Sequence, residues 1–368
     1  MNTPGESSCH SVLCMCLSGV GDALMFTPFI DALKAARPAT AIDVLVMFRS
    51  CESLYASNPN VRSVFHIDFV NQNKLKSLGQ VLSIRRRGYD SVVVAFPANR
   101  WEYNAIQALL GGRRVGHRYL HHDRANLNFL KHDWVREDDA LHNVDKNLQL
   151  LEFFGVARPD KPPALHFHIT DSDHAAAERW LAGRIARPSV MIGFHPGSAL
   201  FKNHIEKRWP KEKYAALARQ LVDELDAHIL VFGDPSELEL QEFIRMTAGR
   251  EGRVHAVTGT TLRESAALVQ RSTLMVSNDS ALMHVSAAVG TPVVGIFAYT
   301  NWRGLYPWGV RHRVIRRDLP CSPCFFYSPK PAQCHVDLDY TCTRGIEVDT
   351  VYDAVLSLLA EIQSSSTT

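Results

Sequence analysis

The chain has 368 residues, 46% hydrophobic and 21% charged, with a formal net charge of +2. That length is more than one core usually serves and suits two domains, and the composition excludes disordered, collagenous and membrane-embedded classes. No run approaches the roughly 20 apolar residues of a membrane span, and the opening MNTPGESSCHSVLCMCLSGVGD lacks a basic leader region, so the expectation is a cytoplasmic protein with reduced cysteines and only peripheral membrane contact.

Apolar runs of strand length alternate with amphipathic stretches, the pattern of parallel-sheet α/β domains. In the first half, residues 12–17, 42–46 and 91–96 read as strands and 23–36 as a helix, and a helix from 101 to 110 is closed by Gly111-Gly112. The result is a Rossmann-like unit. The proline-rich RPDKPPA at 158–164 cannot continue a helix and reads as a linker. A second series follows, with strands at 190–194, 228–232, 274–277 and 292–297 and helices at 211–225, 262–270 and 280–289. The expected organisation is therefore two Rossmann-like domains with parallel sheets, 1–160 and 161–347, followed at 348–368 by a terminal helix and a disordered tail.

Three small-residue turns follow strands, where open α/β sheets place their ligands. Ser18-Gly19-Val20-Gly21-Asp22 precedes the first helix. It departs from the dinucleotide fingerprint because position 24 is Leu, which weakens a dehydrogenase reading. Asp22 reads either as a helix N-cap or as a carboxylate held at the ligand edge of the sheet. His195-Pro196-Gly197-Ser198, with Lys207-Arg208-Trp209-Pro210 after it, offers phosphate donors or an ordinary loop. Ser277-Asn278-Asp279-Ser280-Ala281-Leu282-Met283-His284 leads a strand into a helix whose open amides suit a diphosphate. His284 lies one turn beyond Ser280, so both can face one ligand. Asp279 and Ser280 also read as plain caps.

Between residues 60 and 135 there are twelve Lys/Arg against five Asp/Glu, an excess of seven positive charges. It reads as a surface for anions or as a solvated face; no nucleic-acid module accompanies it. Cys321, Cys324, Cys334 and Cys342 can fill a tetrahedral zinc shell. The spacings of nine and seven residues after Cys324 match no standard zinc motif, and reduced buried thiols or a redox-sensitive pair are the other readings.

The segments GVGDALMFTPFIDALKAARPATAIDVLV, FHPGSALFKNHIEKRWPKEKYAALARQL and VSNDSALMHVSAAVGTPVVGIF, in this order and spacing, make the chain resemble glycosyltransferase family 9, the bacterial lipopolysaccharide heptosyltransferases. The resemblance covers roughly residues 10–360. It implies a GT-B fold with the two sheets facing a central cleft. It also implies inverting, metal-independent transfer of a heptose or related sugar from an ADP-sugar to a lipopolysaccharide-core or other anionic glycan acceptor.

On this resemblance Asp22 is the general base and Lys207 stabilises the leaving diphosphate. Ser198, Glu237, Asp279, Ser280, Ala281 and His284 hold the donor, Glu237 by a loose match to an acid on the nucleotide ribose. Arg113, Arg114, His117, Arg118, His121, His122 and Arg124 become candidates for acceptor or membrane-surface contacts. No cofactor is required, and zinc on the four cysteines would be structural. A nucleotide-sugar epimerase of the same fold and a non-catalytic nucleotide-sugar-binding protein are the competing readings.

Overall fold

The computed structural model describes residues 9–121, 123, 126–185, 190–327, 331–336 and 339–365, without the side chains of residues 201 and 202. Two compact units emerge: Met1–His166 with Tyr327–Pro329, and Phe167–Phe326 with Lys330–Thr368.

The first unit runs β1 (Ser11–Cys16), α1 (Val20–Ala36), β2 (Ala41–Val46), α2 (Arg49–Ala56), β3 (Ser63–His66), α3 (Lys74–Arg85), β4 (Ser91–Val94), α4 (Trp101–Leu110), β5 (Arg113–Arg118), β6 (Asp133–Arg136) and α5 (Asn143–Gln149). Its six strands are parallel in the order β3-β2-β1-β4-β5-β6. Helices on both faces bury the sheet, which is why β1 and β4 are near-continuous apolar runs. Asp43 stands inside buried β2 because Arg62 grips both its carboxylate oxygens, at 2.9 and 2.7 Å, and the Tyr89 hydroxyl donates to it at 2.5 Å. Pro28 lies inside α1 and has no N–H for the Leu24 carbonyl; the Thr27 hydroxyl donates to that carbonyl instead, at 2.8 Å.

The second unit runs α6 (Asp171–Ala182), β7 (Met191–His195), α7 (Lys211–Leu225), β8 (His228–Phe232), α8 (Leu238–Ala248), β9 (Val254–Val257), α9 (Leu262–Arg271), β10 (Leu274–Asn278), α10 (Ala281–Ala288), β11 (Val293–Ile296), β12 (His312–Ile315), α11 (Thr341–Arg344) and α12 (Val348–Ser365). Its sheet is also parallel, in the order β12-β11-β10-β7-β8-β9. Numbered from its own first strand this is the same 3-2-1-4-5-6 order as the first unit, so each sheet reverses its winding between its first and fourth strands. The terminal helix α12 belongs to this core: Val351, Val355 and Leu358 are fully buried together with Trp209 and Leu221. No helix among the described residues is long and apolar enough to cross a membrane.

Candidate functional site

In the first unit the switch point lies between β1 and β4. Gly19 is the N-cap of α1 and makes no side-chain cap, so Asp22 sits inside the first turn and the N-cap reading of Asp22 is corrected. The α1 helix begins three residues before the apolar periodicity does, because Val20, Gly21 and Asp22 supply the first turn.

Asp22 is half-buried in a tight crevice bordered by Ser18, Leu17, Cys16, Ala23, Ala95 and Phe96. The Ser18 hydroxyl donates to the Pro97 carbonyl at 2.6 Å, tying the β1 turn to the β4 turn. Below them the Tyr55 hydroxyl donates to the Ala23 carbonyl at 2.6 Å. Burial pushes the nearby Cys51 thiol up to about 12, and the negative charge of Asp22 adds to that shift.

In the second unit the switch point lies between β7 and β10. Lys207 Nζ donates to Asp279 Oδ2 at 3.0 Å, and the Thr300 hydroxyl donates to the same oxygen at 2.8 Å. Burial opposes the ionised form of Asp279, but Lys207 and His284 outweigh it and, with the Thr300 hydrogen bond, hold the carboxyl below the ordinary range. Burial pushes His284 down to about 4 against the pull of Asp279, so its imidazole is neutral. Its Nδ1 has no hydrogen-bond partner among the described residues.

Ser280 is the N-cap of α10 but makes no side-chain cap. Its hydroxyl instead pairs with His195 Nδ1 at 2.7 Å, so it does not cap the amides that open at Ala281. The cap readings of Asp279 and Ser280 give way to this arrangement. Glu237 accepts from Ser198 N at 3.1 Å, Asp234 N at 3.2 Å and Arg208 Nη2 at 2.6 Å, with His195 Nε2 at 3.7 Å. Burial opposes its ionisation, and His195 leads the contacts that lower its pKa. A methyl group at position 197 would overlap the Glu237 carboxylate, so any larger residue there forces that side chain to shift. The Ser198 hydroxyl donates inward to the His204 carbonyl at 2.8 Å and accepts from Arg208 Nε at 3.2 Å, so it shapes the loop instead of standing as an open phosphate donor.

The structure thus gathers Lys207, Asp279, Ser280, Ala281 and His284 around one helix start, with Ser198 and Glu237 forming the adjoining loop. His195, Arg208 and Thr300 join them. The first two lie within motifs legible in the sequence, HPGS and KRWP; Thr300, 21 residues from Asp279, gave no signal.

The basic candidates separate. Arg113 and Arg114 open β5, in register with Ser91 and Val92 at the start of β4, on the sheet edge opposite Asp22. Arg113 pairs with Asp133 at 2.5 Å, and Arg114 bonds the Leu130 carbonyl and the His132 ring. Arg118 closes β5 with its guanidinium 4.6 Å from the Trp134 ring centroid, and His121 Nε2 lies 2.9 Å from Asp139. His117 is buried and driven down to about 3, chiefly by burial. His122 and Arg124 lie outside the described residues.

Cys321, Cys324, Cys334 and Cys342 are all free thiols, and among the described residues no three His, Cys, Asp or Glu side chains are placed to hold a metal ion. Cys342 is packed into an apolar cluster with Tyr299 and Tyr340, whereas Cys324 is exposed. The thiols are close enough to feel one another: although Cys324 is exposed as a residue, atoms crowding its sulfur and then the charges of Cys342, Cys321 and Cys334 push it up to about 11.

Two doubly wound units of one strand order, each with polar groups at its switch point, are the architecture of the GT-B class. The chain belongs to glycosyltransferase family 9 (heptosyltransferase), whose model matches residues 78–334. It is 26% identical over 312 residues to lipopolysaccharide heptosyltransferase 2 of Escherichia coli K12, covering 81% of this chain and 86% of that one. Its fold is similar to a family 9 glycosyl transferase from Veillonella parvula, with a TM-score of 0.77 and 22% identity over 96% of this chain and 98% of that one. It is also similar to the Escherichia coli ADP-heptose LPS heptosyltransferase II, with a TM-score of 0.73 and 22% identity over 96% and 99% of the two chains.

Proposed function

We propose that this enzyme transfers a heptose from ADP-heptose to an anionic glycan acceptor of the lipopolysaccharide core, with inversion and without a metal ion, at the inner face of the cytoplasmic membrane. The observation that carries the reading is the start of α10, where the amides that Ser280 does not cap, the Lys207 ammonium and neutral His284 converge. Amides at a helix start and a held ammonium are a receptor for a diphosphate and for the charge that grows on it as the sugar leaves. The heptose and the ADP are taken from the relatives, whose names specify them.

Asp22 takes the proton of the acceptor hydroxyl while that oxygen attacks the anomeric carbon. The ADP leaves from the opposite face, so the anomeric configuration inverts. A carboxylate in that role is worth about 10² to 10⁴ in rate. Lys207 is already fixed by Asp279, so little reorganisation is needed as charge develops on the leaving phosphate. Asp279 also offers its remaining lone pairs to donor hydroxyls. Arg118 and His121, at the same sheet edge as Asp22, are the basic residues assigned to the acceptor's anionic groups.

The test is ADP release from ADP-heptose with and without heptose-deficient core oligosaccharide, with the anomeric configuration of the product read by NMR. The reading requires acceptor-dependent release, an inverted product and full activity in EDTA. Isomerised donor formed without acceptor would make the enzyme an epimerase.

A further inference from the structure

Glu137, just beyond the carboxyl end of β6, and Lys146, on α5, are opposite charges buried in the first unit, 5% and 1% exposed. Each lies within electrostatic reach of the other, yet no ion pair within 4.0 Å joins them. Glu137 accepts one hydrogen bond, from Leu120 N at 2.9 Å. Lys146 Nζ donates one, to Asn143 Oδ1 at 3.3 Å, and rests 4.6 Å from the Phe96 ring centroid. A carboxylate can accept about four hydrogen bonds and an ammonium can donate three. Leaving that capacity unused in an interior costs free energy that an ordinary ion pair would offset. Burial accordingly pushes the Glu137 carboxyl up and the Lys146 ammonium down.

Their location ties them to Asp22. Phe96, which carries the Lys146 ammonium over its ring, also borders the crevice that holds Asp22. Tyr119 stacks on Phe96 with centroids 5.4 Å apart and feels the charges of both Glu137 and Asp22.

We infer that Glu137 and Lys146 bind the acceptor sugar itself: the carboxylate accepts from one hydroxyl while the ammonium donates to a neighbouring oxygen of the same ring. The inference rests on the reading of Asp22 as the acceptor-side base. It assigns recognition of neutral sugar oxygens to a buried pair, apart from any contact with the acceptor's anionic groups.

The experiment measures acceptor KM and kcat at saturating ADP-heptose for wild type, Glu137→Gln, Lys146→Met and the double variant. The probes are heptose-deficient core oligosaccharide and monodeoxy analogues of its terminal sugar, with donor affinity and thermal unfolding followed in parallel. Each single substitution is expected to raise acceptor KM about tenfold or more, leaving donor affinity unchanged, and the double variant to be no worse than the worse single. Some monodeoxy acceptor should lose a similar factor with wild type and little more with Glu137→Gln. Coupling seen only in thermal unfolding, with acceptor KM within twofold, would make the pair a structural one bridged by water and overturn the inference. If the variants do not fold, a flat response of the wild-type enzyme across the deoxy series overturns it equally. Absence of acceptor-dependent release by the wild type overturns the transferase reading and this assignment with it, whereas normal release with unmoved KM overturns the assignment alone.

Discussion

In the second unit Lys207 meets Asp279 at 3.0 Å and Arg208 meets Glu237 at 2.6 Å, whereas in the first unit the buried charges of Glu137 and Lys146 feel each other without an ion pair within 4.0 Å. The strand order is the same in both. The difference lies in how charge is settled before a ligand arrives. A site for a diphosphate gains from cations already fixed in place, since the ligand brings its own negative charge. A site for a sugar hydroxyl gains from groups that keep hydrogen-bonding capacity in reserve, because the ligand is neutral there.

The sharpest way to break this comparison is Lys207→Met. It should lower kcat by about 10² to 10³ and cost about 3 kcal/mol of stability, because Asp279 is left buried without its cation. Adding Asp279→Asn should restore much of the stability and none of the rate, which urea unfolding and single-turnover kinetics would separate. Should the double variant recover turnover, the pair is structural and the division between the units fails.

Gly197→Ala tests the same preassembly in the loop. The methyl group would displace the Glu237 carboxylate and with it Arg208, at a cost of about 2 kcal/mol. The same change at Gly183, which has right-handed helical backbone and nothing within 4 Å, should leave stability within about 0.5 kcal/mol. Thermal melts of the two variants would check the contrast.

A pH prediction follows from His117. Its folded pKa is about 3 against an ordinary 6.5, so the unfolded chain takes up the proton first as pH falls. The stability is complete above pH 6.5 and is lost progressively from there toward pH 3. Between pH 6.5 and 4.5 the loss should be roughly 2 kcal/mol, and His117→Asn should flatten that part of the denaturation profile.

The smallest expected effect separates the basic residues by sheet edge. Arg118→Ala should raise acceptor KM several-fold, while Arg113→Ala, whose residue opens β5 at the opposite edge, should leave it unchanged. Equal effects on KM would mean that the positive face acts as a whole.

Much of the fold was legible because parallel strands buried on both faces leave continuous apolar runs. The helix at 211–225 and the strand at 228–232 have the bounds their periodicity implied. The half-exposed edge strands, β3 and β12, carry polar residues such as His66 and Arg313 and gave no such run. Strand β5 was hidden for a different reason: Arg113, Arg114 and Arg118 read as a charge cluster, although Val115 and His117 are buried between them. At the site, the turns HPGS and NDSALMH were visible as small polar residues after strands. Thr300, Glu137 and Lys146 were not, because their roles depend on partners distant in sequence or on a missing ion pair, neither of which leaves a local pattern.

The central claim, that Asp22 is the base of an acceptor-dependent transfer, is tested most directly by ADP release from ADP-heptose with core oligosaccharide, comparing wild type with Asp22→Asn. The account predicts a fall in kcat of about 10² to 10⁴ with donor affinity intact. Turnover by Asp22→Asn within tenfold of wild type would contradict it.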